Sequence, residues 1–162
     1  MYQHIMDTPL GWFRATGDEV GIQSAHWINE EDAIVGGPGA NIAWKRELEK
    51  QVKEYFHSQR QTFNLPLSLQ GIESHQSVWY SLQDVPHGKL LAFSAVLKKD
   101  AKAMKDHELI EAISINPLAL LIPSHRIVDD QNQLLPFAHG NDRRDWLIRH
   151  EGADLPEQLS LF

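Results

Sequence analysis

Glycine and proline near the start of the chain are the feature that most constrains its fold. The turn at residues 7–11 contains a proline and a glycine, and the turn at 17–21 begins and ends with glycine. The segments beside these turns, 12–16 and 22–28, have the composition of short antiparallel strands. We therefore predict a small antiparallel sheet within residues 1–35.

Apolar residues take up helical spacing after a glycine-rich loop at residues 36–39. Asn41 is placed to cap a helix that runs from about residue 42 to 59. The segment 62–67 is predicted to be extended, because its proline breaks any helix, and we place the domain boundary there. The apolar positions of the helix are Ile42, Leu48, Val52, Tyr55 and Phe56.

We predict an α/β domain at residues 1–67, a mostly helical domain at 68–152, and a flexible tail at 153–162. A helix, a turn and a second helix in the second domain are consistent with helix-turn-helix geometry, although that pattern alone is weak evidence. Its predicted helices begin near Ser74 and end at the turn 86–88, then follow near 89–98, 102–114 and 141–150, with a buried apolar run at 118–122.

Composition excludes several kinds of chemistry. The chain has no cysteine, which removes disulfides, thiolate metal sites and cysteine nucleophiles. The nine histidines are scattered without ligand spacing, so we expect neither a metal site nor a cofactor. No apolar run approaches the roughly 20 residues that span a bilayer, and the start lacks the pattern of a signal peptide. We therefore expect a cytoplasmic monomer with no membrane partner.

Charge argues against a conventional surface for nucleic acid. The formal net charge is −7, and no segment has the basic excess that usually marks such a surface. Any claim of DNA binding must therefore be argued against the charge of this chain.

A set of motifs along residues 1–152 nevertheless resembles that of a known protein family. The strongest match is Asn116-Pro117, then residues 122–126 (IPSHR), then Trp146-Leu147 and Glu151-Gly152. The turn at 7–11 and the stretch from Phe63 to Gly88 match as well, and the spacing is free of gaps between Phe93 and Phe137. In this order and spacing the set resembles the O6-alkylguanine-DNA alkyltransferases.

The resemblance implies a fold and an activity. The family has a small α/β domain with an antiparallel sheet, followed by a mostly helical domain of winged/helix-turn-helix type that binds duplex DNA. It flips O6-alkylguanine out of the stack toward a cysteine, which takes the alkyl group irreversibly. In this chain Ser124 stands at the cysteine position, and His125 and Glu151 match the family's hydrogen-bonded relay. The resemblance places DNA or base contacts at Phe93, His107, Asn116, Arg126 and Phe137.

Serine at the nucleophile position predicts a loss of alkyl transfer. A thiol with a pKa of about 8.5 is readily activated to the thiolate, whereas a serine hydroxyl is a far weaker acid and a harder nucleophile. A serine hydrolase built on the same relay is an alternative, and simple structural retention of His125 is another.

The DNA-binding positions also depart from the family. His107 replaces the arginine that fills the gap left by the flipped base, and Phe93 and Phe137 replace tyrosines. The recognition helix carries long and acidic side chains where the family has small ones, and these oppose approach to phosphates. Those side chains are Asp106, Glu108, Ile110 and Glu111.

The C-terminal pentapeptide QLSLF resembles the segment that bacterial replication and repair proteins insert into the sliding clamp. Leu161 and Phe162 would fill an apolar groove, Gln158 would hydrogen-bond at its rim, and Leu159 lies between them. We predict a clamp partner, against the alternative that the tail docks on its own domain.

Three hypotheses about function follow. In the first, the chain is a non-catalytic homologue in DNA alkylation repair, tethered to the clamp and able to sense O6-alkylguanine. Known alkyltransferase-like proteins also lack the cysteine, but they keep the arginine. In the second, the chain is a clamp-bound protein-interaction module that no longer binds DNA. In the third, it is an active alkyltransferase whose cysteine was engineered to Ser124, which the codon in the natural gene would reveal.

Overall fold

The computed structural model describes residues 1–34, 42–97 and 104–156. The chain forms two compact units, residues 1–70 with 117–121, and residues 71–116 with those from 122 onward. Several predicted positions lie outside the described residues, namely Asn41, the loop 36–39 and the predicted clamp-binding residues Gln158, Leu159, Leu161 and Phe162. The division into domains at residues 1–67 and 68–152 stays a prediction. Residues 117–121, which it assigns to the second domain, belong to the first compact unit.

The first unit contains a three-stranded antiparallel sheet of β1 (Tyr2–Thr8), β2 (Gly11–Gly17) and β3 (Ile22–Ile28), in that order. The turns lie where glycine and proline predicted them, and the Asp18 amide donates to the Gly21 carbonyl at 3.1 Å. Alternation along the strands buries Met6, Phe13 and Trp27 on one face. The predicted small antiparallel sheet is confirmed.

Two helices follow the sheet, α1 (Glu30–Ile34) and α2 (Ala43–Phe56). Helix α2 contacts β1 and buries the residues Trp44, Leu48, Val52 and Tyr55, which recur at helical spacing. The helix ends three residues before the predicted residue 59. The reason is that Ser58 takes a left-handed φ of 59° and the Gln59 amide donates back to the Glu54 carbonyl.

Two extended segments pair with β3 in the first unit. The Ile22 amide donates to the Pro66 carbonyl at 2.9 Å, and the Ala25 amide donates to the Pro117 carbonyl at 2.8 Å. The Ala119 amide donates in return to the Ala25 carbonyl at 2.8 Å. The apolar run 118–122 is buried, as its sequence predicts.

The second unit is mostly helical. Helix α3 (Glu73–Leu82) contacts α5 (Asp106–Ser114), and the Trp79 indole donates to the Ala112 carbonyl at 2.8 Å. The remaining elements are β4 (Leu91–Ala92), α4 (Phe93–Val96), a 3₁₀ turn (Ser124–Arg126), β5 (Ile127–Val128) and α6 (Asn141–His150).

The prediction of a helix near residues 89–98 is wrong over the first half of that segment. Residues 91–92 form β4 instead, which pairs in parallel with β5, and only the single turn of α4 follows. The helix predicted at 102–114 is described from Asp106, since Lys105 before it is extended. Within the described ranges, no helix is long and apolar enough to cross a membrane.

The close approach of Gly21 to the segment before Leu67 predicts a stability effect. A Cβ atom at Gly21 would lie 2.7 Å from the Pro66 carbonyl oxygen, so one backbone segment must shift. We expect Gly21→Ala to lower the free energy of unfolding by about 1–3 kcal/mol. Urea denaturation measures this loss. The neighbouring control Val20→Ala, at a side chain that is 72% exposed, should change it by less than ~0.5 kcal/mol. Equal values for the two variants would contradict this account of the packing.

Candidate functional site

The 3₁₀ turn holds Ser124 and His125, which the sequence placed at the centre of the site, together with Arg126. Its Arg126 amide donates to the Pro123 carbonyl at 3.0 Å, which closes the turn. Successive side chains of a 3₁₀ turn diverge by about 120°. Ser124 points toward Asn116. The side chains of His125 and Arg126 are longer, and both of them extend to Glu151. All of these side chains are buried.

Asn116 orients the Ser124 hydroxyl. It follows α5 and is 2% exposed. Its Nδ2 donates to the Ile122 carbonyl at 2.7 Å and to the Ser124 Oγ at 3.0 Å. The same amide thus fixes the backbone before the turn and the side chain within it.

Glu151, just after α6, is the acceptor for both longer side chains of the turn. Arg126 donates to it twice, from Nε to Oε1 at 2.7 Å and from Nη2 to Oε2 at 2.9 Å. The His125 Nε2 lies 2.8 Å from Oε2, and the Gly88 amide donates to Oε1 at 3.4 Å. The result is a buried two-point ion pair with an imidazole on its edge.

Burial and charge set the protonation of this cluster. Burial would raise the pKa of the Glu151 carboxyl, but hydrogen bonds from His125 and Arg126 and the charge of Arg126 lower it well below its usual range. Burial lowers the pKa of His125, and its contact with Glu151 opposes that effect only in part. Glu151 is therefore ionised near neutral pH and the His125 imidazole is neutral.

The neutral His125 imidazole has a defined tautomer. The Glu151 carboxylate can only accept, so the His125 Nε2 carries the hydrogen and Nδ1 carries the lone pair. This Nδ1 is buried, and it has no hydrogen-bond partner among the residues that the structure describes. Nδ1 can accept a proton or a hydrogen bond, but the lowered pKa makes it a weak base.

Arg126, which the sequence analysis grouped with the residues that contact DNA, has its side chain in the interior. Its side chain is 7% exposed. Besides its two bonds to Glu151, its Nη1 donates to the Val85 carbonyl at 2.8 Å. The guanidinium thus lies in the interior, where its charge balances that of Glu151.

The two phenylalanines at the predicted base-contacting positions are both buried. Phe93 begins α4 and is 4% exposed, and Phe137 is 8% exposed. The Phe137 ring lies edge-on to His125, with centroids 6.5 Å apart, and edge-on to His139 at 5.1 Å. The structure thus brings Phe137 to the Ser124 turn through His125.

His107 lies apart from this cluster, exposed in the first turn of α5. Its neighbours Asp106 and Glu111 are exposed as well. The Glu108 carboxylate accepts the Lys105 amide at 2.9 Å, so this acid caps the helix. The surface of α5 that the resemblance assigns to DNA is therefore acidic in its first turn.

Sequence reasoning missed two residues at this site. His87, in the turn 86–88, lies close enough to Glu151 and Arg126 for their charges to act on it, while burial lowers its pKa. His139 contacts both Phe137 and the Asn116 carbonyl. A signal was present for each, since His87 lies in a conspicuous proline–glycine turn and His139 lies two residues after Phe137.

Family models match both parts of the chain. The model described as the DNA binding domain of 6-O-methylguanine DNA methyltransferase matches residues 73–153. The model described as the ribonuclease-like domain of the same protein matches residues 1–69. Together the two matches cover nearly all of the described residues.

Curated relatives match over most of their length. The methylated-DNA–protein-cysteine methyltransferase of Methanosarcina acetivorans is 26% identical over 155 residues, which is 94% of this chain and 99% of the relative. That of Methanosarcina mazei is 28% identical over 157 residues, 96% of this chain and 99% of the relative. The constitutive enzyme of Bacillus subtilis is 24% identical over 142 residues, 85% of this chain and 86% of the relative.

Solved structures share the fold. The O6-methylguanine methyltransferase of Mycobacterium tuberculosis superposes with a TM-score of 0.73 at 21% identity, covering 93% of this chain and 92% of that one. The mycobacterial protein in complex with DNA gives 0.75 at 21% identity, with 94% and 93% covered. The O6-methylguanine DNA methyltransferase from Methanococcus jannaschii gives 0.62 at 18% identity, with 98% and 97% covered.

The buried ion pair predicts an unequal response to the loss of two carboxylates. Glu151→Gln leaves the Arg126 charge buried without its partner, and we expect the free energy of unfolding to fall by about 3–5 kcal/mol. The matched control is Glu54→Gln, which removes the partner of Arg60 from a pair at 3.5 Å that is about a quarter exposed. Its loss should stay below about 1 kcal/mol. Urea denaturation at pH 7 compares the two variants, and similar losses would refute the structural importance of Glu151.

Proposed function

The chain belongs to the O6-methylguanine DNA methyltransferase family, and on that premise we propose that it is a catalytically inactive member acting in DNA alkylation repair. In this proposal it binds O6-alkylated guanine in duplex DNA and does not take the alkyl group. The observation that carries the proposal is Ser124, buried beside a complete His125–Glu151 pair in a chain without cysteine. Its relatives are named for transfer to a protein cysteine.

The chemistry of the transfer explains the proposed inactivity. The nucleophile must attack the alkyl carbon while the bond from that carbon to O6 breaks, and the nucleophile must lose its proton. A serine hydroxyl gives up its proton far less readily than a thiol. His125 is a weak base, because burial lowers its pKa and Arg126 already neutralises the Glu151 charge. Neither the nucleophile nor the base of this site is therefore suited to the reaction.

The same groups support reversible recognition of the lesion. Asn116 holds the Ser124 oxygen in place at 3.0 Å, and the Ser124 hydroxyl proton can be donated to an oxygen such as O6. Phe137 supplies an aromatic wall next to His125. A site that hydrogen-bonds O6 without attacking the alkyl carbon releases the lesion unchanged, which is the behaviour of a sensor.

The tail gives the second part of the proposal, a tether to a bacterial sliding clamp. Its support is the sequence of residues 158–162, in which Gln158, Leu159, Leu161 and Phe162 have the spacing of a clamp-binding pentapeptide. Leu161 and Phe162 would bury their side chains in an apolar groove of the clamp, and residues 153–157 would supply the linker.

Helix α5 favours a second candidate function, a clamp-bound module for protein interactions. Asp106 and Glu111 are exposed on the helix that would otherwise enter a DNA groove, and the net charge is −7. Both features repel phosphates and attract basic partners. The two candidates differ in one measurable property, which is the affinity for DNA.

The lesion hypothesis predicts a preference that can be measured by fluorescence anisotropy. The protein is titrated into a labelled duplex with or without one O6-methylguanine, across a range of salt concentrations. We expect tighter binding to the lesion duplex and no gain of a methyl group in the protein mass. Phe137→Ala should reduce the preference about ten-fold, because it removes an aromatic wall. The control Phe63→Ala, in the first unit, should keep it.

The result also separates the two candidate functions. Lesion preference with unchanged protein mass supports the sensor, since the site then works despite His107 and Phe93. Absence of binding to either duplex at low salt refutes the sensor and favours the interaction module. A mass gain of one methyl group refutes inactivity.

The tether hypothesis predicts that removal of residues 158–162 abolishes association with an immobilised bacterial sliding clamp in a pull-down. The expected cause is the loss of Leu161 and Phe162 from the apolar groove. Ser160→Ala is the matched control and should be retained on the clamp, since the hydroxyl at this position is not part of the proposed contact. Undiminished capture of the truncated chain would remove the clamp from the proposal.

A further inference from the structure

His139 joins two parts of the site that are far apart in sequence. It lies in the turn before α6, two residues after Phe137, and it is half-buried. Its Nε2 lies 3.2 Å from the backbone carbonyl oxygen of Asn116. Asn116 in turn holds the Ser124 hydroxyl through its side chain. The contact therefore links the segment that carries Phe137 to the residue that orients Ser124.

The chemistry of this contact fixes its direction. A carbonyl oxygen only accepts, so the His139 ring donates from an Nε2 that carries hydrogen. Two further contacts hold His139 in place. Its ring is edge-on to the Phe137 ring, with centroids 5.1 Å apart and planes at 70°, and the Arg143 Nη1 donates to its backbone carbonyl at 3.0 Å. The imidazole is thus held by a ring contact with Phe137 and by a hydrogen bond to the Asn116 carbonyl.

We propose that His139 is a positioning residue of the lesion site, which sets the distance between the Phe137 ring and the Ser124 hydroxyl by tying both to Asn116. This inference rests on the proposed recognition of O6-alkylguanine at that site. His139 acts on the site through its contacts with Phe137 and Asn116. Its contribution is to hold a binding geometry that would otherwise have to be ordered when the base enters.

Two substitutions separate the hydrogen bond from the ring. His139→Gln keeps an N–H donor of similar reach and loses the ring, whereas His139→Phe keeps a ring against Phe137 and loses the donor. The half-buried position makes both compatible with folding. His57→Phe is the matched control, since it makes the same replacement at an exposed residue after α2.

The first readout is the preference for the O6-methylguanine duplex in the anisotropy titration. We expect His139→Phe to lose about 3- to 10-fold of the preference, the range of one hydrogen bond, and His139→Gln to keep it. Retention of the full preference by both variants overturns the proposal while the lesion function stands. An equal loss in both also overturns it, because the donor would then not be the cause.

The second readout needs no DNA, so it tests the positioning role even where the full-length protein shows no lesion preference. Hydrogen exchange of the Asn116 side-chain amide is followed by NMR in the free, full-length protein. We expect exchange to quicken about 3- to 10-fold in His139→Phe and to stay unchanged in His139→Gln and His57→Phe. Unchanged exchange in His139→Phe overturns the proposal. Failure of the lesion function shows instead as equal binding of both duplexes by the unsubstituted protein.

Discussion

The arrangement of the site depends on one buried interaction, the two-point ion pair between Arg126 and Glu151. It connects the 3₁₀ turn to the residue after α6, and through the Arg126 Nη1 to the Val85 carbonyl beyond α3. Burying two charges costs several kcal/mol for each ion, so such a pair is weak evidence for net stability. Its demonstrable effect is geometric, because the turn that carries Ser124 is held by its two neighbours, His125 and Arg126.

The same ion pair limits the chemistry of the turn. A carboxylate that faces only a histidine raises the basicity of the imidazole, but here Glu151 shares its charge with a guanidinium at 2.7 and 2.9 Å. Burial lowers the pKa of His125 and the Arg126 charge adds to that effect, so the imidazole is left neutral and weakly basic. A weak base can suffice for a thiol of pKa about 8.5, which is partly ionised near neutral pH, but it cannot suffice for a hydroxyl. With serine at position 124, a site with this compensated carboxylate therefore favours binding over transfer.

Local signals in the sequence predicted most of the first unit, and long-range pairings explain what they did not predict. The turns at 7–11 and 17–21 depend on glycine and proline within a few residues, so the sheet could be predicted. The strand at 91–92 exists because it pairs with residues 127–128, and no local window contains both. The same holds for Arg126, whose partner Glu151 lies 25 residues further on, so that no local window indicates that its charge is buried in an ion pair.

The acidity of α5 and the proposed clamp-binding tail bear on the same quantity, the affinity of the protein for DNA. The Glu108 carboxylate already accepts a hydrogen bond at the N-terminal end of α5, and the nearby Asp106 repels phosphate. The helix therefore adds little affinity for the phosphate backbone of DNA. A protein that recognises only one flipped base would therefore bind DNA weakly from solution. In the proposed function, a tether of residues 153–157 to a sliding clamp on DNA would replace that missing affinity with a high local concentration. On this reasoning the acidic first turn of α5 and the proposed clamp-binding tail are compatible with one function, because the tail would compensate for the weak affinity of the helix for DNA.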